Sequence, residues 1–212
     1  MKVLLINGSP NEKGCTYTAL AEVAGALEKR GVQTEIYHIG KKPIAGCIAC
    51  GSCAKTGKCA FDGDGVNALA ARLDEFDGIV VGSPVYYAGP SGQITAFLDR
   101  LFYSAGGKMA GKLGAAVVSC RRGGATAAFD RLNKYFTICN MPIVSSQYWN
   151  MVHGAVNSPD DVRADKEGLQ TMRTLGENMA WLLQCISAGK AAGVKPPARE
   201  PMVRTNFIEH KV

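Results

Sequence analysis

Through most of the chain, short continuous apolar runs alternate with stretches in which apolar residues recur every three to four positions. Runs such as Val3-Leu4-Leu5-Ile6, Ile79-Val80-Val81 and Ala115-Ala116-Val117-Val118 show no polar alternation. That is the pattern of strands covered on both faces of a parallel sheet. It predicts strands over 2–7, 78–83, 114–119 and 142–147, with a further, alternating strand over 33–39. Helical spacing predicts helices over 16–30, 66–76, 91–103 and 125–137, and a long final helix over 160–187. Leu20, Val23, Ala24 and Leu27 form the stripe of the first helix, Gly31 stops it, and Asp64 offers an N-cap to the second. Strands alternating with helices, joined by right-handed crossovers, give a doubly wound α/β sandwich of three layers. One domain spans 1–188. The tail over 189–212, with Pro196, Pro197 and Pro201, is expected to be disordered or extended across a partner subunit.

Composition narrows the function classes. A chain of 212 residues buries a sizeable core without disulfides. No apolar run approaches the roughly 20 residues of a membrane span. The N-terminal apolar run is too short for a signal peptide, so a cytoplasmic location, with no membrane partner, is the expectation. The net charge of +6 comes from scattered Lys and Arg without a basic run, so no nucleic-acid partner is expected. It fits a basic mouth for an anionic cofactor or an ordinary solvated surface.

In a doubly wound sheet, ligands bind outside the carboxyl ends of the strands. The first strand is followed there by Gly8-Ser9-Pro10-Asn11-Glu12-Lys13-Gly14-Cys15-Thr16-Tyr17-Thr18. This is a strand–loop–helix cradle in which a helix N-terminus offers free N–H groups, with hydroxyls from Ser9, Thr16 and Thr18 and close approach at Gly14. It matches neither the Walker nor the Rossmann spacing and suits a phosphate monoester such as that of FMN, though a capped turn reads the same way. After the third strand, Pro84, Val85, Tyr86 and Tyr87 supply walls for a flat ring, or cover the sheet end. After the fourth, Ser119-Cys120-Arg121-Arg122-Gly123-Gly124 places two arginines beside two glycines. Positive charge at a flavin ring edge stabilises its reduced anion, while solvated surface arginines are the plain alternative.

These runs, with Gly92-Gln93, Ala96-Phe97-Leu98-Asp99-Arg100 and the stretch from Tyr148-Trp149-Asn150 to His153-Gly154, resemble the NADPH-dependent FMN reductase family over about Met1 to Gly154. The resemblance implies a flavodoxin-like sandwich with a five-stranded parallel sheet in the order 2-1-3-4-5. It implies FMN held at its phosphate by Ser9, Pro10, Asn11, Gly14, Cys15, Thr16 and Thr18. The ring would lie against Pro84, Val85, Tyr86, Tyr87, Ser119, Arg121, Arg122, Gly123 and Gly124. Many relatives carry a basic residue just after the loop proline. Here Asn11 stands there, and Lys13 is the substitute. The family implies NAD(P)H or a reduced carrier as electron donor, a quinone, nitro, azo or protein acceptor, and a homodimer or homotetramer. A non-enzymatic flavodoxin-like carrier is the rival reading. Carriers of that kind are usually acidic, and the positive charge here weighs mildly against it. The flavin is the reactive group, so no catalytic acid–base residue is expected. His153 could line the pocket, but a lone histidine is more often structural.

Of eight cysteines, Cys47, Cys50, Cys53 and Cys59 fall within 13 residues. In a reducing compartment such clustering points to metal or redox chemistry rather than disulfides. Four closely spaced thiolates suit a [4Fe–4S] cluster, and the spacing is similar to that of iron–sulfur flavoproteins within the same family. A four-thiolate zinc site, a metal-free loop and redox-active thiols stand as alternatives. The segment follows the second strand, so it is expected on the same edge as the flavin, where cluster and flavin could exchange electrons.

Overall fold

A computed structural model describes residues 1–155, 158–201 and 203. Its elements run β1 (Lys2–Asn7), α1 (Cys15–Lys29), β2 (Gln33–His38), α2 (Ser52–Thr56), α3 (Val66–Arg72), β3 (Gly78–Tyr86) and β4 (Gly89–Pro90). There follow α4 (Gly92–Ala105), β5 (Leu113–Cys120), α5 (Ala125–Ile138), β6 (Met151–His153), α6 (Pro159–Ala164) and α7 (Lys166–Ala191). Five strands pair in parallel in the order β2-β1-β3-β5-β6, and β4 adds a two-residue antiparallel hairpin to the end of β3. With the hairpin strand set aside, this is the expected 2-1-3-4-5 order.

The central strands carry no polar alternation because both faces are covered, and alternate side chains enter two different cores. Val3, Leu5, Val80, Ala115 and Val117 pack with Leu20, Val23 and Leu27 of α1 and Met172, Leu175 and Met179 of α7. Leu4, Ile6, Ile79, Val81, Ala116 and Val118 face the other way, onto Leu69 of α3, Phe97 and Leu101 of α4 and Leu132 and Phe136 of α5. No described helix is long and apolar enough to cross a membrane.

Several boundaries differ from the sequence expectation. The fifth strand is not 142–147. Residues 142–144 touch β5 through one bridge, Gly114 with Ile143, and the regular pairing comes later, at β6. Between them the polar Asn150 is fully buried, and its side chain donates to the Ala116 carbonyl at 3.1 Å, while Ser145, Gln147 and Tyr148 are exposed. The final helix is broken at Asp165, whose non-helical backbone (φ −76°, ψ 79°) starts α7 afresh while its carboxylate accepts from Gly168 N at 2.9 Å. β3 runs three residues past 83, and α3 stops at Arg72, giving way to a short 3-10 turn. Asp64 accepts from Val66 N at 3.3 Å, but α3 starts behind Gly65 and the carboxylate turns mainly to Arg100. α7 continues to Ala191. The expected tail has neither helix nor strand from 194 to 201, and residues 202 and 204–212 lie outside the described residues.

The β2 edge is held by charge. Glu35 accepts both terminal nitrogens of Arg72 at 2.8 Å and pairs with Lys2 at 2.8 Å. The Arg72 guanidinium, more than Lys2, holds the Glu35 carboxyl down at about 2. The folded chain therefore keeps this carboxylate charged at pH values where the unfolded chain, near the ordinary 4.5, has already taken a proton. The stabilisation is complete above that value and is lost as pH falls towards 2. Glu35→Gln is expected to lower urea stability at neutral pH, with the difference from the parent shrinking between about pH 4.5 and 2. A difference independent of pH over that window would contradict the assignment.

Candidate functional site

Three loops converge beyond the carboxyl ends of β1, β3 and β5, and specific contacts pin them together. Gly8 N donates to Gly82 O at 2.8 Å, and Ser91 Oγ donates to Gly8 O at 2.9 Å. A Cβ on Gly8 would sit 2.6 Å from Ile94 and 2.9 Å from Gly82 O, so only glycine allows the first loop this close to β3 and α4. Thr16 Oγ1 and Ser119 Oγ lie 2.8 Å apart, both buried, and tie the first loop to the third from beneath. The second and third loops meet where Gly124, at φ +82°, would place a Cβ 2.7 Å from Ala88 Cα.

The shape of the first loop comes from Asn7, fully buried at the end of β1. Its Oδ1 accepts from Ser9 N at 3.1 Å and its Nδ2 donates to Glu12 O at 3.0 Å. Ser9 Oγ accepts from Asn11 N at 3.1 Å, and Nε2 of His38, from the end of β2, lies 2.8 Å from Ser9 O. Thr18 donates to Gly14 O at 3.1 Å, while Cys15 Sγ reaches the Ala155 and Ser158 carbonyls at 3.3 Å, with burial pushing its thiol pKa up. Thr16, Thr18 and Cys15 thus have protein partners, as do the backbone N–H groups of Ser9 and Asn11, and the donors left for a ligand are those of the uncapped first turn of α1. The sequence pattern does not mark Asn7 and His38 as site residues. The available signal for Asn7 was a polar residue ending an otherwise apolar strand.

Two helices begin at this edge without a side-chain cap: α1 behind Gly14 and α5 behind Gly124. Elsewhere Ser91, Ser158 and Asp165 cap α4, α6 and α7, while the short α2 and α3 also start behind glycines without a side-chain cap. Bare N-termini leave unpaired N–H groups and the positive dipole end aimed at the edge, which is what an anion requires. The second loop is a tight hairpin with Tyr87 and Ala88 both at positive φ, 50° and 58°. The Tyr87 side chain stands free in solvent and Tyr86 is half exposed, while Pro84 and Val85 lie partly buried beneath them. Arg121, Arg122 and Gly123 are exposed or nearly so at the third loop, and Pro10 closes the first. A further wall comes from Tyr148 and Trp149, rings 5.1 Å apart and edge to face. Tyr148 borders a cavity of about 340 Å³ with Met151, His153 and Thr171. His153 Nδ1 is 3.7 Å from Asp165 Oδ2, and its backbone N donates to the same oxygen at 2.7 Å.

The cysteine-rich segment leaves β2 and packs against α3 and α4. Cys47, Cys50, Cys53 and Cys59 all line one pocket, closed by Ile48, Phe61, Tyr103 and Arg100. Among the described residues, no three His, Cys, Asp or Glu side chains gather as ligands of a single ion. α2 is a single turn between Gly51 and Gly57, both left-handed, which folds Cys53 back towards Cys59. The Asn67 side chain holds Cys59 from both sides, accepting from its N at 2.9 Å and donating to its O at 3.0 Å. Arg100, whose side chain is wholly buried, donates Nε–H to Cys59 Sγ at 3.1 Å. Its other nitrogens reach Ala45 O at 3.3 Å, Phe61 O at 2.9 Å and the Asp64 carboxylate. Arg100 had no assigned role in the sequence reading. A charged residue between Phe97 and Leu101 on the apolar stripe of α4 was the signal.

A family model described as NADPH-dependent FMN reductase matches residues 1–156. An iron–sulfur flavoprotein from Methanocaldococcus jannaschii is 32% identical over 192 residues, covering 88% of this chain and 99% of the relative. A flavodoxin, WrbA-like protein from Agrobacterium tumefaciens shares the fold with a TM-score of 0.59 at 21% identity, over 87% of this chain and 97% of its own. So does FerB, a flavoenzyme NAD(P)H:(acceptor) oxidoreductase from Paracoccus denitrificans, with a TM-score of 0.65 at 17% identity, over 87% and 97%.

Gly8→Ala is expected to cost about 1–3 kcal/mol in urea unfolding, because the added methyl overpacks against Ile94 and the β3 backbone. Gly124→Ala should cost about 1–2 kcal/mol through its left-handed backbone. Unchanged stability in both would mean that the loops are not pinned as described.

Proposed function

This chain belongs to the NADPH-dependent FMN reductase family, in its iron–sulfur flavoprotein-like branch, and on that footing we propose that it binds FMN at the three-loop edge and passes electrons through it. The observation that carries the reading is the meeting of two uncapped helix N-termini with an exposed tyrosine hairpin at one edge. The chemistry fits FMN part by part. The uncapped first turn of α1, at its positive end, offers backbone N–H groups that suit a phosphate monoester. Tyr86 and Tyr87 offer aromatic faces to a flat ring, and Arg121 and Arg122 bring positive charge beside the backbone N–H groups at the start of α5. Bound FMN supplies the hydride and single-electron chemistry, and the protein's share is orientation and electrostatics.

The four cysteines extend the proposal to a [4Fe–4S] cluster. The four side chains line one pocket, and four thiolates at this close spacing would supply the ligands of a cube of irons. Cys47, Cys50 and Ile48 are exposed, so a cluster there would lie near the surface, within reach of an electron-transfer partner. The donor is NAD(P)H or a reduced one-electron carrier, and the acceptor a quinone-, nitro- or azo-type compound or a protein.

A pure electron carrier is the second reading, favoured by the four-thiolate pocket, since such clusters exchange single electrons. Sustained NAD(P)H oxidation with a small acceptor would establish the enzyme. Reduction by a ferredoxin-type donor alone would establish the carrier. For the ring site, Tyr87→Ala is expected to leave urea stability within about 0.5 kcal/mol, since this side chain is fully exposed. It should weaken FMN binding about three- to tenfold in a flavin-fluorescence titration. An unchanged affinity would remove the hairpin from the site.

A further inference from the structure

A guanidinium with no solvent contact is a costly thing to place in a protein, and Arg100 lies beside a sulfur of the cysteine segment. Its side chain is 0% exposed. The Asp64 carboxylate pairs with it and two backbone carbonyls accept from it, which offsets the cost of burying the charge. The fork is divided by function. The two terminal nitrogens bind Asp64, Ala45 O and Phe61 O, which fixes the chain on both sides of the cysteines. That leaves Nε–H, held in the same rigid plane, to point at Cys59 Sγ at 3.1 Å. The Phe61 ring lies against the guanidinium, 5.2 Å from its centre, and covers it from water.

We propose that Arg100 is the positioning residue of the cysteine pocket, orienting Cys59 Sγ through Nε–H and setting the reduction potential of the cluster bound there. The proposal rests on the reading that the four thiolates hold a [4Fe–4S] cluster. Reduction adds one electron to the cluster with no bond made or broken, so its net charge becomes more negative by one. A buried positive charge and a hydrogen bond to a ligating sulfur both favour that more negative state and raise the midpoint. Asp64 acts in the opposite sense, since its carboxylate offsets part of the guanidinium charge.

The test is an anaerobic redox titration of the full chain followed by electron paramagnetic resonance, with iron content measured on each sample. Arg100→Gln should retain iron and shift the oxidised-to-reduced ratio at a fixed potential about tenfold towards oxidised, a midpoint about 59 mV lower. Arg100→Lys, which keeps the charge but lacks the directed Nε–H, should recover part of the shift. Asp64→Asn, close to the parent in shape, should move the midpoint the other way. A purely structural arginine would not give shifts of opposite sign in two members of one ion pair. Iron-loaded variants whose midpoints all match the parent would overturn the proposal and leave the cluster reading intact. If Arg100→Gln fails to fold, the upward shift in Asp64→Asn decides for the proposal, and no shift decides against it. A parent protein that binds FMN but no iron removes the cluster reading and this inference with it.

Discussion

A parallel strand covered on both faces must hand the chain to a helix before its neighbour can begin, so every β-to-α loop emerges at the same edge of the sheet. In this chain that constraint gathers Gly8–Gly14, the Tyr87–Ala88 hairpin and Arg121–Gly124 without any of them needing to attract the others. What the sequence adds locally is close approach and open helix ends. Gly8 brings the first loop onto β3, Thr16 and Ser119 tie it to β5, and glycines rather than capping side chains precede α1 and α5. An edge built this way has fixed donors and little apolar depth, which suits a ligand with an anionic end and a flat ring.

The cysteine segment obeys a different logic. It has no strand and only one turn of helix, so its own backbone bonds cannot define it. Its order depends on Arg100 and Asn67, two side chains from helices that belong to the main core. Burying a charge costs several kcal/mol unless it is paired and hydrogen-bonded, and Asp64 with two carbonyls meets that condition. The same helix that carries Arg100 starts directly after the tyrosine hairpin. Gly92 and Arg100 are eight residues apart, about 12 Å along the axis. One rigid element therefore spans from the tyrosine hairpin to the cysteine pocket.

The sheet order, the helix on each crossover and the three loops were legible because they depend on periodicity and on residue types at strand ends. The misplaced fifth strand was not: Pro142–Val144 is as apolar as a strand, and only the tertiary bond from Asn150 to Ala116 explains why pairing resumes at Met151. The break at Asp165 was hidden because an aspartate inside a helical pattern looks like a surface residue until its carboxylate is seen to cap Gly168. The cysteine spacing was legible, but its anchor was not. Arg100 lies 41 residues from Cys59, and no local pattern joins them. Thr16 and Ser119 stood out as hydroxyls near the ligand edge, whereas the fold pairs them with each other in the core.

The function proposed above requires a flavin at the sheet edge and an iron–sulfur cluster in the cysteine pocket of the same chain. Iron, acid-labile sulfide and flavin measured together on protein purified without oxygen test it most directly. About four iron and about four sulfide for each FMN are expected. Stoichiometric FMN with no iron or sulfide, or with zinc in the cysteine pocket, would contradict it.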